Sequence, residues 1–258
     1  IVVSLGVMGA VLAAIVANSF EWRTAYYIGG ALGLALLFLR IGVYESGMYS
    51  TIKEKKLKRG NFFMLFTSGK RFGKYIRCII IGLPIWFVIG ILITFSPEFG
   101  VKLGIKEPIN AGISVMYCYL GLGIGDFLCG YLSQVFKTRK KMILLYLLLT
   151  SLAIPFFLFA ENATANYLYF LAFILGLAAG YWAVFITIAS EQFGTNIRST
   201  VTTTVPNFVR GAVVPLTLSF NYLKNNFGII NSAMIVGAFT MLIGLLALYG
   251  LEETYGKD

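Results

Sequence analysis

Hydrophobic positions along this chain gather into eight long runs, at roughly residues 1–18, 24–43, 77–96, 109–132, 142–160, 167–190, 200–222 and 231–250, with short polar stretches between them. Each run approaches the ~20 residues that a helix needs to cross the ~30 Å hydrocarbon core of a bilayer. The runs are too long and too continuously apolar for barrel strands, so each must satisfy its own backbone as a helix. The pattern predicts an all-α integral membrane protein with eight transmembrane helices. Composition points the same way, with 58% hydrophobic and only 12% charged residues.

Net charge is +10, from 21 Lys and Arg against 11 Asp and Glu. In a soluble chain that excess would raise the question of nucleic acid; here its placement answers it. The linker after the second run holds Lys53, Lys55, Lys56, Lys58, Arg59, Lys70, Arg71 and Lys74, and the linker after the fourth holds Lys137, Arg139, Lys140 and Lys141. The opposite linkers have only Arg23, Lys102, Lys106 and Lys224 as basic residues. By the positive-inside rule the basic side is cytoplasmic, together with "SEQFGTNIR" (190–198) and the C-terminus. A multi-pass protein of the plasma (cell inner) membrane is expected, with no nucleic-acid partner.

Within the first basic linker, "NFFMLFTSGKRFGKYI" mixes Phe62, Phe63, Leu65, Phe66 and Phe72 with cations. An interfacial helix lying on anionic headgroups has this pattern. Topology and lipid contact account for it; a docking site for a regulatory partner is the alternative.

The three cysteines, Cys78, Cys118 and Cys129, lie inside or at the ends of apolar runs, where neither a disulfide framework nor a metal site is indicated. Histidine is absent, which removes the commonest general base and metal ligand. No cofactor and no metal are expected, and an enzyme is disfavoured.

Laid over one another in a register shifted by 208 residues, the second and last runs match Glu45 with Glu253, Ala25 with Ala233, Gly29 with Gly237, Leu34 with Leu242, Leu37 with Leu245 and Gly42 with Gly250. Parallel repeats are how many transporters are built. The same shift applied to the third run falls before Ile1, where a span is already under way. About four spans of a twelve-span protein are therefore expected to precede this sequence.

Five stretches, in order, resemble motifs of the major facilitator superfamily, in its sugar-porter and metabolite:proton symporter branches. "EWRTAYYIGG" (21–30) looks like the G-W-R segment before the family's sixth helix, and "YESGMY" (44–49) is similar to the P-E-S-P-R motif after it. "GYLSQVFKTRKK" (130–141) resembles the G-x-L-x-D-R-x-G-R-R loop, with Gln134 where the acid is usual and one extra residue. "EQFGTNIR" (191–198) is similar to E-x-F-P-T-x-x-R, with Gly194 replacing proline, and "LEETYGK" (251–257) resembles P-E-T-K-G. The resemblance implies helices five to twelve of a twelve-helix fold. Residues 1–43 would be the last two helices of an N-terminal bundle, 44–76 a basic cytoplasmic linker, and 77–258 a six-helix C-terminal bundle.

Glu191, Arg198, Arg139, Lys140 and Glu253 fall at cytoplasmic helix ends, where Arg forks can meet carboxylates, and the repeat adds Glu45. Solvated caps and topology charges would look the same from spacing alone. Exposed ion pairs are worth about 0–1 kcal/mol each, weak enough to open and close. The resemblance favours reading them as a cytoplasmic gate that biases a two-state equilibrium.

Arg210 lies about eleven residues into the seventh run, roughly 16 Å deep at 1.5 Å per residue. An arginine at that depth costs about 2.5–3.5 kcal/mol to insert, so it is expected to face a cavity or a partner. Asp126, roughly 10 Å deep in the fourth run, is one partner for a structural pair; an anionic substrate group is the other. Asp126 is also the visible proton-carrier candidate, and Asn207, one turn from Arg210, shares its face. Tyr181, Trp182, Trp86 and Tyr117 lie at mid-span depth, either as packed or lipid-facing aromatics or as a stacking wall for an organic substrate.

"GLGIGD" (121–126) mimics a nucleotide-binding glycine loop, but no strand precedes it, and small residues inside a span serve close helix packing. Gly176 and Gly180 read the same way. Asn162 heads an acceptor sequon on the external side.

Together these readings predict a secondary active transporter of a small organic solute, with alternating access between two bundles. As the resemblance implies, protons drive it. The mid-membrane cation favours a carboxylate or sugar acid; a neutral-sugar facilitator is the close alternative, ahead of a channel or a non-transporting scaffold.

Overall fold

The computed structural model describes residues 2–41 and 62–256, and the elements found there are helical. Glu45 and the Lys53 to Arg59 cluster lie outside the described residues. Two helices come first, α1 (Val2–Ser19) and α2 (Trp22–Arg40), and then a 3-10 turn at Phe62–Leu65. A run of α3 (Gly69–Ile80), α4 (Leu83–Phe87), a π turn (Val88–Ile93) and α5 (Ser96–Lys102) follows. Next come α6 (Ala111–Val135), α7 (Lys140–Leu158), α8 (Ala165–Ala178), α9 (Trp182–Glu191), α10 (Thr195–Gly211), α11 (Val213–Phe227) and α12 (Ile229–Tyr249).

Six segments among the described residues are long and apolar enough to cross a membrane: Trp22–Arg40, Gly69–Ile93, Ala111–Val135, Lys140–Leu158, Ala165–Glu191 and Ile229–Tyr249. Two of the eight expected spans are not among them. In α1 the apolar stretch is the shorter Met8–Ala17. The α10–α11 segment is divided at Ala212, and α10 is rich in Thr and carries Arg198 and Arg210.

The interfacial helix expected over residues 61–76 is not what forms. Only Phe62–Leu65 make a turn of their own, and from Gly69 the chain is already in α3, eight residues ahead of the expected span. Phe62 instead stacks on Phe208 of α10, ring centroids 6.3 Å apart. Arg71 pins the turn by donating to the Met64 carbonyl at 2.7 Å. Phe62, Leu65 and Tyr75 thus fold back on the helix bundle, while Phe63, Phe66 and Phe72 stay exposed.

The core is a stack of closely approaching helices, and glycine sets the approach. A Cβ at Gly176 in α8 would stand 1.9 Å from the Cys118 carbonyl oxygen of α6, and one at Gly121 would stand 2.0 Å from the Phe173 oxygen. At these crossings only hydrogen fits, so α6 and α8 touch backbone to backbone, as the small residues of both runs predict. On its other side α6 packs against α1.

Two spans are interrupted, and the first interruption is met by a side chain from the second. The Gly69–Ile93 segment breaks at Ile81 and Gly82, before Pro84, which sits in the first turn of α4, where its missing N–H costs nothing. The Ala165–Glu191 segment breaks at Ala179–Tyr181. Tyr181 at that second break is fully buried and donates its hydroxyl to the Ile81 carbonyl at the first, at 2.9 Å. A freed helix-end carbonyl in an apolar core needs such a partner.

Candidate functional site

The break before α9 exposes backbone N–H groups at mid-span, and Asp126 of α6 fills the position. Its Oδ1 accepts from the Ala183 amide at 2.9 Å, and the Trp182 amide faces it as well. Only 1% of Asp126 is exposed, and its Oδ2 has no hydrogen-bond partner. A carboxylate at a helix N-terminus is held by the amides and the helix dipole together. Fixing Asp126 there also fixes where α9 begins, and hence where Trp182 points.

Trp182, Trp86 and Arg210 converge on one cavity of about 130 Å³, whose walls are completed by Ile85, Ile89, Tyr119 and Leu122. The walls come from α4, the π turn, α6, α9 and α10. The two indole rings meet edge to face, 6.3 Å apart at 72°. The Arg210 guanidinium lies over the Trp182 ring, 5.3 Å from its centroid, within the range of a cation–π contact. Arg210 Nη1 donates to Asn207 Oδ1 at 3.1 Å, and both residues are exposed, although Asn207 does not line the cavity. The Trp86 Nε1–H is buried without an acceptor.

The Arg210 and Asp126 pair does not form. Asp126 is spent on the α9 amides, and Arg210 has no ion pair among the described residues. Two of the four candidate aromatics also stand apart from the cavity. Tyr181 is a buried strut between the helix breaks. Tyr117 stacks on Tyr169, 5.9 Å away at 13°, and Tyr169 in turn accepts from the Asn110 amide at 2.9 Å. Sequence reasoning missed Tyr119, although a signal existed: residues 119, 122 and 126 fall on one helical face, and Tyr117 does not share it.

At the far end of the bundle the charged candidates form a network. Glu191 Oε1 pairs with Arg139 Nη2 at 3.4 Å, while its Oε2 accepts from the Thr254 hydroxyl at 2.6 Å. Arg139 also donates to Ser133 Oγ at 3.1 Å and lies over the Tyr255 ring, 5.1 Å from its centroid. Glu253 accepts from the Thr138 hydroxyl, the Arg139 amide at 2.9 Å and the Lys140 amide at 3.1 Å, closing the N-terminus of α7. Lys140 Nζ closes the C-terminal end of α12 by donating to the Tyr249 and Leu251 carbonyls at 2.9 and 2.7 Å. Arg198 stands outside this network: it makes no ion pair among the described residues, and the arginine that meets Glu191 is Arg139.

Burial pushes the Glu253 carboxyl up, but the Thr138 hydroxyl and the Arg139, Tyr255 and Lys140 amides outweigh it and hold the group at about 2, against an ordinary 4.5. Its charge is therefore firmly present at neutral pH.

A bundle of apolar helices with two broken spans meeting at a mid-depth cavity is the build of a membrane transporter. Residues 2–217 match the Major Facilitator Superfamily, and the chain belongs to that family. It is accordingly a transporter-family protein and not an enzyme.

Over 97% of its length the chain is similar, at 24% identity, to the probable 4-methylmuconolactone transporter of Cupriavidus pinatubonensis. Over 92% it is similar, also at 24% identity, to the inner membrane metabolite transport protein YhjE of Escherichia coli K12. A third relative, the TsgA homolog of Buchnera aphidicola, is 24% identical over 70% of the chain. These alignments cover 58%, 55% and 44% of the relatives' own lengths, so the chain spans about half of the curated proteins it matches.

Proposed function

We propose that the chain is the larger part of a secondary active transporter for a small organic solute bearing a carboxylate, such as an organic acid or sugar acid. The observation that carries this reading is the Arg210 guanidinium, held over Trp182 beside a cavity between broken helices and lacking an acidic partner among the described residues. An arginine kept at mid-span without a counter-ion points to a pathway, and its planar fork suits a carboxylate. The cavity, about 130 Å³, is smaller than the ~300 Å³ of a whole ligand site. It would take one end of the solute, with an opposing bundle enclosing the rest. The names of the relatives, a methylmuconolactone transporter and a metabolite transport protein, favour a small metabolite.

In this reading α1 and α2 are the last two helices of a first bundle, the α10–α11 segment is a span interrupted at Ala212, and residues 77–258 are the second bundle. The basic segment from Lys53 to Lys74 and the Glu253 network face the cytoplasm by the positive-inside rule, with the basic segment against anionic headgroups. The network of Glu191, Arg139, Lys140 and Glu253 then acts as the inner gate. Asp126, with one free oxygen buried at the α9 terminus, is the proton carrier, because adding a proton there weakens its hold on the Ala183 amide and lets α9 shift.

The test is uptake and counterflow in proteoliposomes containing the intact transporter, comparing carboxylates with neutral sugars under an imposed pH gradient. Saturable, pH-driven carboxylate counterflow is expected. Transport of neutral sugars with no response to the gradient would favour a facilitator in which Trp86, Trp182 and Asn207 hold a sugar ring. A flux that does not saturate would point to a channel.

A further inference from the structure

A second and larger cavity, of about 550 Å³, lies away from the transport site, between the start of α7 and the end of α12. Its walls are apolar: Leu144 on α7, Leu245 and Leu248 on α12, and Phe136. Its mouth is ringed by cations, with Lys137, Lys140 and Lys141 all on the lining. Lys140 is occupied with the last carbonyls of α12. Lys137 and Lys141 are exposed and make no ion pair among the described residues. Lys137 sits in the left-handed region at φ 52, a conformation that costs an L residue energy.

The carboxylate on the lining is Glu253, and its oxygens are taken by the Thr138 hydroxyl and the Arg139, Lys140, Thr254 and Tyr255 amides. The cavity's surplus charge is thus positive at the mouth. Tyr249, 87% exposed beside it, and Phe136, 62% exposed, have the character of side chains that lie at a membrane–water boundary.

We propose that this groove binds one anionic phospholipid, with its phosphate between Lys137 and Lys141 and an acyl chain along Leu144, Leu245 and Leu248. Charge complementarity selects the headgroup. The apolar walls select a lipid over a soluble anion, which would leave Leu144 and Phe136 in water. Because α7 begins on Glu253 and α12 ends on Lys140, a lipid seated here braces the two helix ends that the Glu191 and Arg139 pair also joins. The site rests on membrane residence alone and is independent of what Arg210 binds.

The experiment is a thermal melt of the purified full chain in detergent, titrated with phosphatidylglycerol, phosphatidylcholine or inorganic phosphate. Wild type is compared with the Lys137→Gln/Lys141→Gln and Lys53→Gln/Lys55→Gln double variants. Phosphatidylglycerol should raise the melting temperature of wild type, and phosphatidylcholine and phosphate should not. Each lysine near an anionic surface is worth about a fivefold change in affinity, so Lys137→Gln/Lys141→Gln should weaken the response by roughly twenty-five-fold and Lys53→Gln/Lys55→Gln should leave it intact.

Equal stabilisation by phosphatidylcholine would overturn headgroup selection, and a response to phosphate alone would make the groove a soluble-anion site. Loss of the response with Lys53→Gln/Lys55→Gln but not with Lys137→Gln/Lys141→Gln would move the site to the basic segment. As a check that does not depend on removing charge, tryptophan placed by Leu245→Trp should be quenched by brominated phosphatidylglycerol at lower concentration than by brominated phosphatidylcholine. Quenching at equal concentrations would also overturn the proposal.

Discussion

Glu253 accepts the Arg139 amide at 2.9 Å, so the segment after the last helix is what closes the N-terminus of α7, more than a hundred residues earlier in the chain. The carboxylate stands at about 2 in the folded protein against about 4.5 unfolded. A group depressed in this way contributes stability that is fully present above the unfolded value and is lost as pH falls from there through about 2. Glu253→Ala should lower stability at neutral pH by about 1 kcal/mol, the usual worth of such a cap. The difference between wild type and variant should shrink as pH falls below about 4.5. Detergent melts at pH 7 and near pH 3 check both expectations, and a difference that grows in acid would contradict the assignment.

Arg139 and Arg198 are expected to separate in function. Arg139 touches Glu191, Ser133 and the Tyr255 ring, whereas Arg198 makes no ion pair among the described residues. If the network is the inner gate, Arg139→Gln should change turnover several-fold with substrate affinity nearly constant, since a modest bias on a two-state equilibrium leaves the binding site intact. Arg198→Gln should leave the melting temperature of the Glu191 network unchanged. Initial uptake rates across substrate concentration, measured beside binding at equilibrium, distinguish the two; a loss of affinity with unchanged turnover in Arg139→Gln speaks against a gate.

The membrane class was legible because burying a helix in lipid demands a continuous apolar run, and all six segments long enough to span overlap runs read directly from hydropathy, the Gly69–Ile93 segment starting eight residues early. What hydropathy does not record is a break inside a run. Ala179–Tyr181 and Gly82 are apolar or small, so the interruptions left no mark in hydropathy, although Gly180 and Pro84 stand at them. With the breaks unseen, Asp126 had no amides to cap, and Arg210 was the only partner in view. Depth along a helix was likewise a poorer guide than face: Tyr117 and Tyr119 differ little in depth, but only Tyr119 turns to the cavity. Spacing placed both Arg139 and Arg198 at the helix ends with Glu191, and only the fold shows that the α6–α7 turn delivers Arg139 to it.

The α6–α8 crossing gives a sharp steric test with its own control. Gly176→Ala places a methyl 1.9 Å from the Cys118 oxygen, and both atoms belong to or hang on helix backbone, so the helices must part. Overpacking typically costs 1–3 kcal/mol, and about 3 kcal/mol is expected here because no side chain is free to yield. Gly130→Ala on the same helix as Cys118 meets nothing within 4 Å and should be neutral or slightly stabilising through helix propensity. Melting temperatures of the two variants should differ in that order.

Arg210 offers the most direct test of the proposed cargo. Lysine at this position keeps the charge but loses the planar stack over Trp182 and the fork that can grip two carboxylate oxygens at once. Arg210→Lys should therefore retain some carboxylate binding, weakened by about tenfold, a cost of ~1.4 kcal/mol. Arg210→Gln, which removes the charge, should abolish it. Neither change should lower stability much, because Arg210 is exposed and its side-chain hydrogen bond goes to the exposed Asn207. Trp182→Phe keeps an aromatic face with a weaker quadrupole and should fall between wild type and Arg210→Lys. Equilibrium binding of a labelled carboxylate to the intact transporter would rank the series as wild type, Trp182→Phe, Arg210→Lys, Arg210→Gln. If Arg210→Gln bound a carboxylate as well as wild type while losing a neutral sugar, Arg210 would be a hydroxyl donor to a sugar and the facilitator reading would take its place.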